Sequence, residues 1–315
     1  MKNSIFKIGI LAMITAFGSC EKENDSYNEN AEKQNTEVSI TDAPIDNANV
    51  SGAFVTITDV KIDGISIEGF STTTVDLLKL QNGKKLALGN IDLNVGAVSN
   101  VVLVLDYAQD QNGNAPGCYI ATANGLKHEL KSSVNEIKIN DQTEIITSTA
   151  NEIVIDFDLR KTIIENNSTS TNQFDFVSST ELSSGLRLIN NVEAGSISGT
   201  VSDNENTSER IVVYAYEKGT YSSSEAEAKG TSGVTFANAV TSTMVNSFSG
   251  AYKVNFLKEG DYEFHFASYS DTDGDGKLEF NSMLRVESLT DIQLNTITIS
   301  SKINLSLNVN VTGRL

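Results

Sequence analysis

One-for-one alternation of apolar and polar residues, interrupted by frequent turn dipeptides, constrains this chain more than any other feature. In Lys302 to Val311, KINLSLNVNV, the residues Ile303, Leu305, Leu307, Val309 and Val311 share one parity, and Asn304, Ser306, Asn308 and Asn310 the other. A period of two places each set on its own face of a strand, so this segment reads as a half-buried strand. Ile153, Ile155, Phe157 and Leu159 alternate in the same way with Val154, Asp156, Asp158 and Arg160. Tyr262, Phe264 and Phe266 alternate with Glu263, His265 and Ala267. Val101 to Leu105, VVLVL, has no polar face and reads as a central strand covered on both sides. Asn82-Gly83, Asn112-Gly113 and Asn124-Gly125 are hairpin-type dipeptides. Around the last of them, Tyr119 to Ala123 and Leu126 to Leu130 should pair. Only Ser222 to Lys229, SSSEAEAK, reads as helical, over about two turns. Short strands and frequent turns predict an all-β chain built from β-sandwiches.

A length of 315 residues exceeds what one core usually fills, so two folded domains are expected. The polar stretch Asn190 to Ala194 is the expected boundary between them. The expected organisation is a lipoprotein signal peptide over 1–19 and an acylated Cys with a short disordered tether over 20–37. A first β-sandwich then occupies 38–193 and a second 194–315. The net charge of −18 excludes nucleic acid as a partner, because no basic stripe offsets it. It disfavours anionic lipid surfaces as well, and leaves cations, neutral polymers and other proteins.

The N-terminal residues read as an address. Lys2 and Lys7 precede the apolar run Ile8 to Phe17, which is too short to span a bilayer and fits a secretory signal. Gly18-Ser19-Cys20 follows and resembles a bacterial lipobox, with Phe17 where Leu is usual. The resemblance implies that Cys20 is acylated and becomes the first mature residue. Two or three acyl chains give stable anchorage where one does not. Glu21 to Glu37, EKENDSYNENAEKQNTE, has almost nothing to bury and reads as a tether. Its opening, Glu21-Lys22-Glu23-Asn24-Asp25, resembles the acidic export signal of surface lipoproteins in Bacteroidetes-type bacteria. That implies a lipid-anchored outer-membrane protein, with the inner and the outer leaflet both open as its location. Cys118 would then be the one remaining thiol, and it reads as a small buried filler.

The first half resembles the family described as domain of unknown function 4382. The matching stretches are Ile40-Thr41-Asp42-Ala43-Pro44-Ile45-Asp46, Val55 to Gly64 (VTITDVKIDG), Val75 to Gly83 (VDLLKLQNG), Val102 to Asp106 (VLVLD) and Ile155 to Lys161 (IDFDLRK). Ser184-Gly185-Leu186-Arg187-Leu188 stands where that family has a Lys-Pro pair. The resemblance implies a β-rich fold and an envelope setting, with no activity attached. The second half, Gly195 to Leu315, resembles transthyretin-like sandwiches of the carboxypeptidase-regulatory type, which share a carbohydrate-binding-like fold. Gly195 to Val201 and Ile211 to Glu217 resemble its opening strands. Ser249-Gly250-Ala251-Tyr252, followed by Leu257, Gly260 and Tyr262, resembles its paired-strand signature, with Tyr252 pointing inward.

The sharpest candidate for chemistry is Asp271-Thr272-Asp273-Gly274-Asp275-Gly276-Lys277-Leu278-Glu279. Calcium takes six to eight oxygens, and carboxylates at alternate positions of a tight loop converge on one point. Asp271, Asp273 and Asp275, the Lys277 carbonyl and Glu279 form the expected ligand set for a weak structural calcium ion. Ser282 stands where an EF-hand has its bidentate Glu, so an EF-hand is not expected. The competing reading is an Asp/Gly-rich hairpin that binds nothing tightly.

Asp156 and Asp158 would lie about 6.5–7 Å apart on one strand face, a separation a glycosidase could use. Arg160 continues that face, and a charged outer face explains the pattern without catalysis. His128 falls among apolar positions and reads as packed, while His265 falls on the solvent side beside Glu263. Tyr214, Tyr216, Tyr221 and Tyr269 could form an aromatic sugar platform, although the chain has no Trp; core or edge packing is the favoured reading. The expected function is a non-enzymatic, lipid-anchored envelope protein presenting two binding modules to a protein or glycan. The alternatives are a carbohydrate-binding module beside surface glycan uptake, and a hydrolase using Asp156 and Asp158.

Overall fold

A computed structural model describes residues 32–43, 50–165, 173–204, 208–274, 278–290 and 292–315. Cys20 and the signal region, Asp275 and Lys277 lie outside the described residues. The fold is all-β, and its strands form two β-sandwich domains.

In the first domain, Lys33–Thr41 pairs in parallel with Glu152–Phe157 and antiparallel with Leu86–Asn94. Leu186–Asn190 completes this four-stranded sheet beside Glu152–Phe157. The facing sheet is built on the long strand Val50–Ile62, which carries Val101–Leu105 and Tyr119–Thr122. Val101–Leu105 sits between Val50–Ile62 and Glu136–Lys138, the interior position its unbroken apolar run predicts. Val38, Ile40, Ile153, Ile155 and Phe157 from one sheet meet Val55, Ile57, Leu103 and Leu105 from the other in one core. The Asn124-Gly125 hairpin forms as expected, with Tyr119 opposite Glu129 and Ala121 opposite Lys127. Gly125 adopts φ 83°, a conformation only glycine takes freely.

The second domain is a curled sheet ordered Thr241–Met244, Arg210–Glu217, Gly260–Ser270, Glu279–Ser288, Val309–Arg314, Gly195–Ser202 and Ala251–Leu257. Its inner face packs Ile197, Val213, Val254, Phe264, Phe266, Leu307 and Val309. The opposite face of Arg210–Glu217 buries Tyr214 and Tyr216 against Phe236 and Tyr269.

Several expectations change. Strand pairing begins at Lys33, upstream of the expected tether boundary at 37/38. Lys33–Glu37 is polar, but its backbone bonds to Leu86–Asn94 and Asn35 Nδ2 donates to Asp92 at 2.9 Å. Polarity alone therefore does not exclude a strand whose neighbour supplies the hydrogen bonds. The dipeptides Asn82-Gly83 and Asn112-Gly113 turn the chain without joining two paired strands.

Ser222 to Lys229 forms a single 3-10 turn, Ser223–Ala226, and not two turns of α-helix. The cause is Glu225, which is fully buried and accepts from Asn238 N at 2.9 Å and Asn238 Nδ2 at 2.8 Å, with Lys229 as its ion partner. The expected strand Lys302 to Val311 breaks into Asn304–Ser306 and Val309–Arg314. At the break Leu307 O lies 1.9 Å from where a Cβ on Gly199 would sit, so the close approach requires glycine there. Ala251–Leu257 and Gly260–Ser270 are consecutive but do not pair with each other, unlike the signature they resemble. Tyr252 does point inward, and its hydroxyl donates to Leu307 O at 2.7 Å.

The largest departure concerns the strand Glu152–Phe157. Its second face is buried too, from Ile153 through Phe157. Val154 packs with Ile189, Ala194 and Phe256, so the second domain covers the outer face of the first domain's sheet. Residues 32–315 form one compact unit.

Candidate functional site

The candidate catalytic pair lies in that covered face. Asp156 and Asp158 are 3% and 1% exposed, and Arg160 is 7% exposed, so this is not a charged outer face. The strand ends at Phe157, and Asp158 caps a single helical turn, Leu159–Thr162, accepting from Arg160 N at 3.1 Å. Asp156 Oδ2 accepts from Arg187 Nη2 at 2.5 Å and Nε at 3.0 Å. Asp158 Oδ2 accepts from Arg160 Nη2 at 2.9 Å.

Each arginine then reaches the other domain. Arg187 Nη1 donates to Phe256 O at 3.2 Å, and Arg160 Nη1 donates to Phe236 O at 2.6 Å and Thr235 O at 3.1 Å. Arg160 also lies 5.5 Å from the Tyr214 ring centroid. Further polar links flank these. Lys258 pairs with Asp141 at 2.8 Å, and Glu181 accepts from Ser232 N at 3.1 Å and Ser232 Oγ at 2.5 Å. Burial raises the Glu181 carboxyl, but the hydrogen bonds from Ser178 and Ser232 bring it down to about 2. Each carboxylate proposed for hydrolysis is thus held by an arginine that joins the two domains. Sequence reading missed this role, because alternation marks a polar face without saying what covers it.

Asp42, in the stretch Ile40 to Ala43, belongs to the same cluster. Its Oδ1 accepts from Leu159 N at 3.2 Å. Burial, reinforced by Asp156 and Asp158, raises its carboxyl well above the ordinary range against the pull of that N–H. The folded chain therefore holds a proton that the unfolded chain releases near pH 3.9. Stability falls as pH rises from there through the raised value, and the loss persists above it. Asp42→Asn removes this penalty. The variant should be more stable than wild type at neutral pH, and the gap should close toward pH 3.9. Urea midpoints measured across the pH range check this; a gap independent of pH contradicts it.

Asp271, Asp273 and Glu279 do converge. One carboxylate oxygen from each lies within 4.8 Å of the others. The chain arrives on Gly260–Ser270 and leaves on Glu279–Ser288, which pair antiparallel. Asp271 Oδ1 accepts from Gly274 N at 2.7 Å. Glu279 Oε2 accepts from Thr272 N at 2.9 Å and Thr272 Oγ1 at 3.0 Å. These bonds hold Glu279 below the usual carboxyl range. Asp275 and Lys277, the other expected ligands, lie outside the described residues.

The remaining candidates are structural. Cys118 is fully buried, its Sγ lies 3.4 Å from Asp106 O, and burial pushes the thiol up to about 12. His128 is buried edge-on to Phe174, and its Nδ1 accepts from Gln173 N at 3.3 Å. Tyr214, Tyr216 and Tyr269 are core residues, with Tyr214 stacked on Phe236 at 4.3 Å between centroids. Tyr221 is partly exposed and stacks on His265 at 3.6 Å. Of the four tyrosines considered for a platform, it alone keeps a surface position. No described helix is long and apolar enough to cross a membrane.

A two-domain β protein, joined by buried arginines that pair with carboxylates in one domain and donate to backbone carbonyls of the other, is what fold and site define. Residues 35–175 match the model of a family described as domain of unknown function (DUF4382). The matched segment lies within the first domain. No curated protein matches the chain. Among solved structures, the Bacillus anthracis TIE protein is 12% identical at a TM-score of 0.20, with 88% of this chain covered. This chain spans only 34% of that protein's length. The major pilin subunit of Bacillus cereus is 13% identical at a TM-score of 0.22, covering 89% of this chain and 70% of its own. The minor pilin of Streptococcus agalactiae is 11% identical at a TM-score of 0.22, covering 89% and 97%.

Proposed function

We propose that this chain is a non-enzymatic, lipid-anchored protein of the outer membrane. It holds two joined β-sandwiches at the cell surface as one interaction module. The observation that carries the reading is that Arg187 and Arg160, which pair with Asp156 and Asp158, also donate across the domain junction to Phe256 O and Phe236 O. The charged groups best placed for hydrolysis join the domains instead, leaving the loops as the presented surface. The acylation reading at Cys20 and the polar residues after it support tethering. Transthyretin-like architecture in the second domain draws support from the inward Tyr252, and the partner is a protein or a glycan.

The Asp271 to Glu279 loop fits calcium on its donor set. Three carboxylates within 4.8 Å repel one another without a cation, and hard oxygen donors suit Ca²⁺. Bound calcium would fix this loop at the end of the paired strands Gly260–Ser270 and Glu279–Ser288. Isothermal titration of the purified protein tests it. Binding is expected with a dissociation constant of about 0.1–1 mM, as in extracellular calcium modules. An Asp271→Asn, Asp273→Asn variant should lose that heat. Absence of saturable heat from wild type at millimolar calcium removes the metal from this reading and leaves the tethered module to be tested separately.

A further inference from the structure

An open cavity of about 340 Å³ lies between the two domains at the junction. Lys161, Arg187 and Lys258 line it, together with the amides of Asn140 and Asn238 and the Ser184 hydroxyl. Two of the three cations are already engaged. Arg187 holds Asp156 and Phe256 O. Lys258 holds Asp141 at 2.8 and 2.9 Å and Gln142 O at 2.8 Å.

Lys161 differs. It is partly buried, it lines the cavity, and its ammonium forms no hydrogen bond or ion pair with any described residue. Asp141 and Glu217 also line the cavity. Asp141 is the partner of Lys258, and Glu217 acts on Tyr262. The charges acting on Lys161 are Asp158, Arg160, Arg187 and Asp156, and both of those carboxylates are already bound by arginines. Burial, together with Arg160 and Arg187, brings the Lys161 amine down to about 8 despite the attraction of Asp158 and Asp156. A cation withdrawn from water and left without a counter-ion is unfavourable, and an anion placed beside it relieves that cost. The volume sits at the small end of the range for ligand sites. Its amides and hydroxyl suit a polar molecule more than an apolar one.

We propose that this cavity binds a small polar molecule through a carboxylate or phosphate oxyanion, with Lys161 as the ion partner. The proposal uses neither the Asp271 to Glu279 loop nor acylation at Cys20, so its failure leaves the functional reading above intact.

Isothermal titration with glucuronate, inorganic phosphate and neutral glucose tests the proposal. At least one oxyanion should saturate below about 10 mM, and glucose should give no heat. Preference for glucuronate assigns a carboxylate ligand, and preference for phosphate assigns a phosphate ligand. Lys161→Met should weaken oxyanion binding at least about tenfold while leaving the melting temperature unchanged or higher. Acetylation of Lys161 in the wild type, followed by mass spectrometry, gives a reading that does not depend on the variant folding. Saturating oxyanion should slow it. Equal affinity in Lys161→Met, an unchanged acetylation rate, glucose binding as tightly as the oxyanions, or no saturable heat from either oxyanion would each overturn the proposal.

Discussion

Arg187→Ala should destabilise the protein by about 3–5 kcal/mol. The guanidinium holds Asp156 Oδ2 through two bonds and reaches Phe256 O in the other domain. Truncation leaves the Asp156 carboxylate buried without its cation, in the same cluster as Asp42 and Asp158. The cost is the burial of an uncompensated charge, which exceeds the net worth of the pair. Replacing both partners by apolar residues of similar volume should therefore cost much less than removing Arg187 alone. Urea unfolding of the single and paired variants checks this. A change below about 1 kcal/mol in Arg187→Ala, the range of exposed ion pairs, would contradict the buried role.

Phe157→Ala should cost a similar amount, about 3–5 kcal/mol, for a different reason. Phe157 ends the strand beside Asp156, but its side chain points the other way, into the first core. It is fully buried and packs 6.4 Å from Phe176 between ring centroids. The loss combines removed apolar contact with the cavity left behind, because a close-packed core relaxes only partly. Phe157→Leu fills most of that space and should recover much of the stability. Unlike the Arg187 variant, Phe157→Ala should keep its deficit when the pH changes, since no titrating group is uncovered. Calorimetry of both Phe157 variants at two pH values separates the mechanisms. Equal losses from Ala and Leu would argue against a packing origin.

These neighbouring residues mark how far the sequence could be read. Alternation placed Ile153, Ile155 and Phe157 on the core side, and the unbroken run Val101 to Leu105 in a sheet interior. Both follow from local periodicity. The same periodicity assigned Asp156, Asp158 and Arg160 to solvent. What buries them is contributed from Phe236 and Phe256, far along the chain, and no local pattern encodes that cover. Polar residues on a strand are legible as a face, but only the packed structure distinguishes a wet face from a joined one.

The acidic loop is a converse case. Its spacing alone marks Asp271, Asp273, Asp275, Lys277 and Glu279 as a set, and the carboxylates of Asp271, Asp273 and Glu279 do meet. The helix expected over Ser222 to Lys229 failed because local propensity is weak against the several hydrogen bonds that draw Glu225 inward. Lys161 carried no sequence signal at all. It stood inside the stretch Ile155 to Lys161 that resembles the first-domain family, and that it has no ion partner among the described residues is visible only when both domains are in place.

The reading of this chain as a tethered surface module rests on acylation at Cys20, and metabolic labelling with radioactive palmitate measures that step directly. The wild-type chain should take up label and sediment with membranes, while Cys20→Ser should do neither. An unlabelled wild-type chain, expressed in a bacterium that labels its own lipoproteins, would contradict the reading.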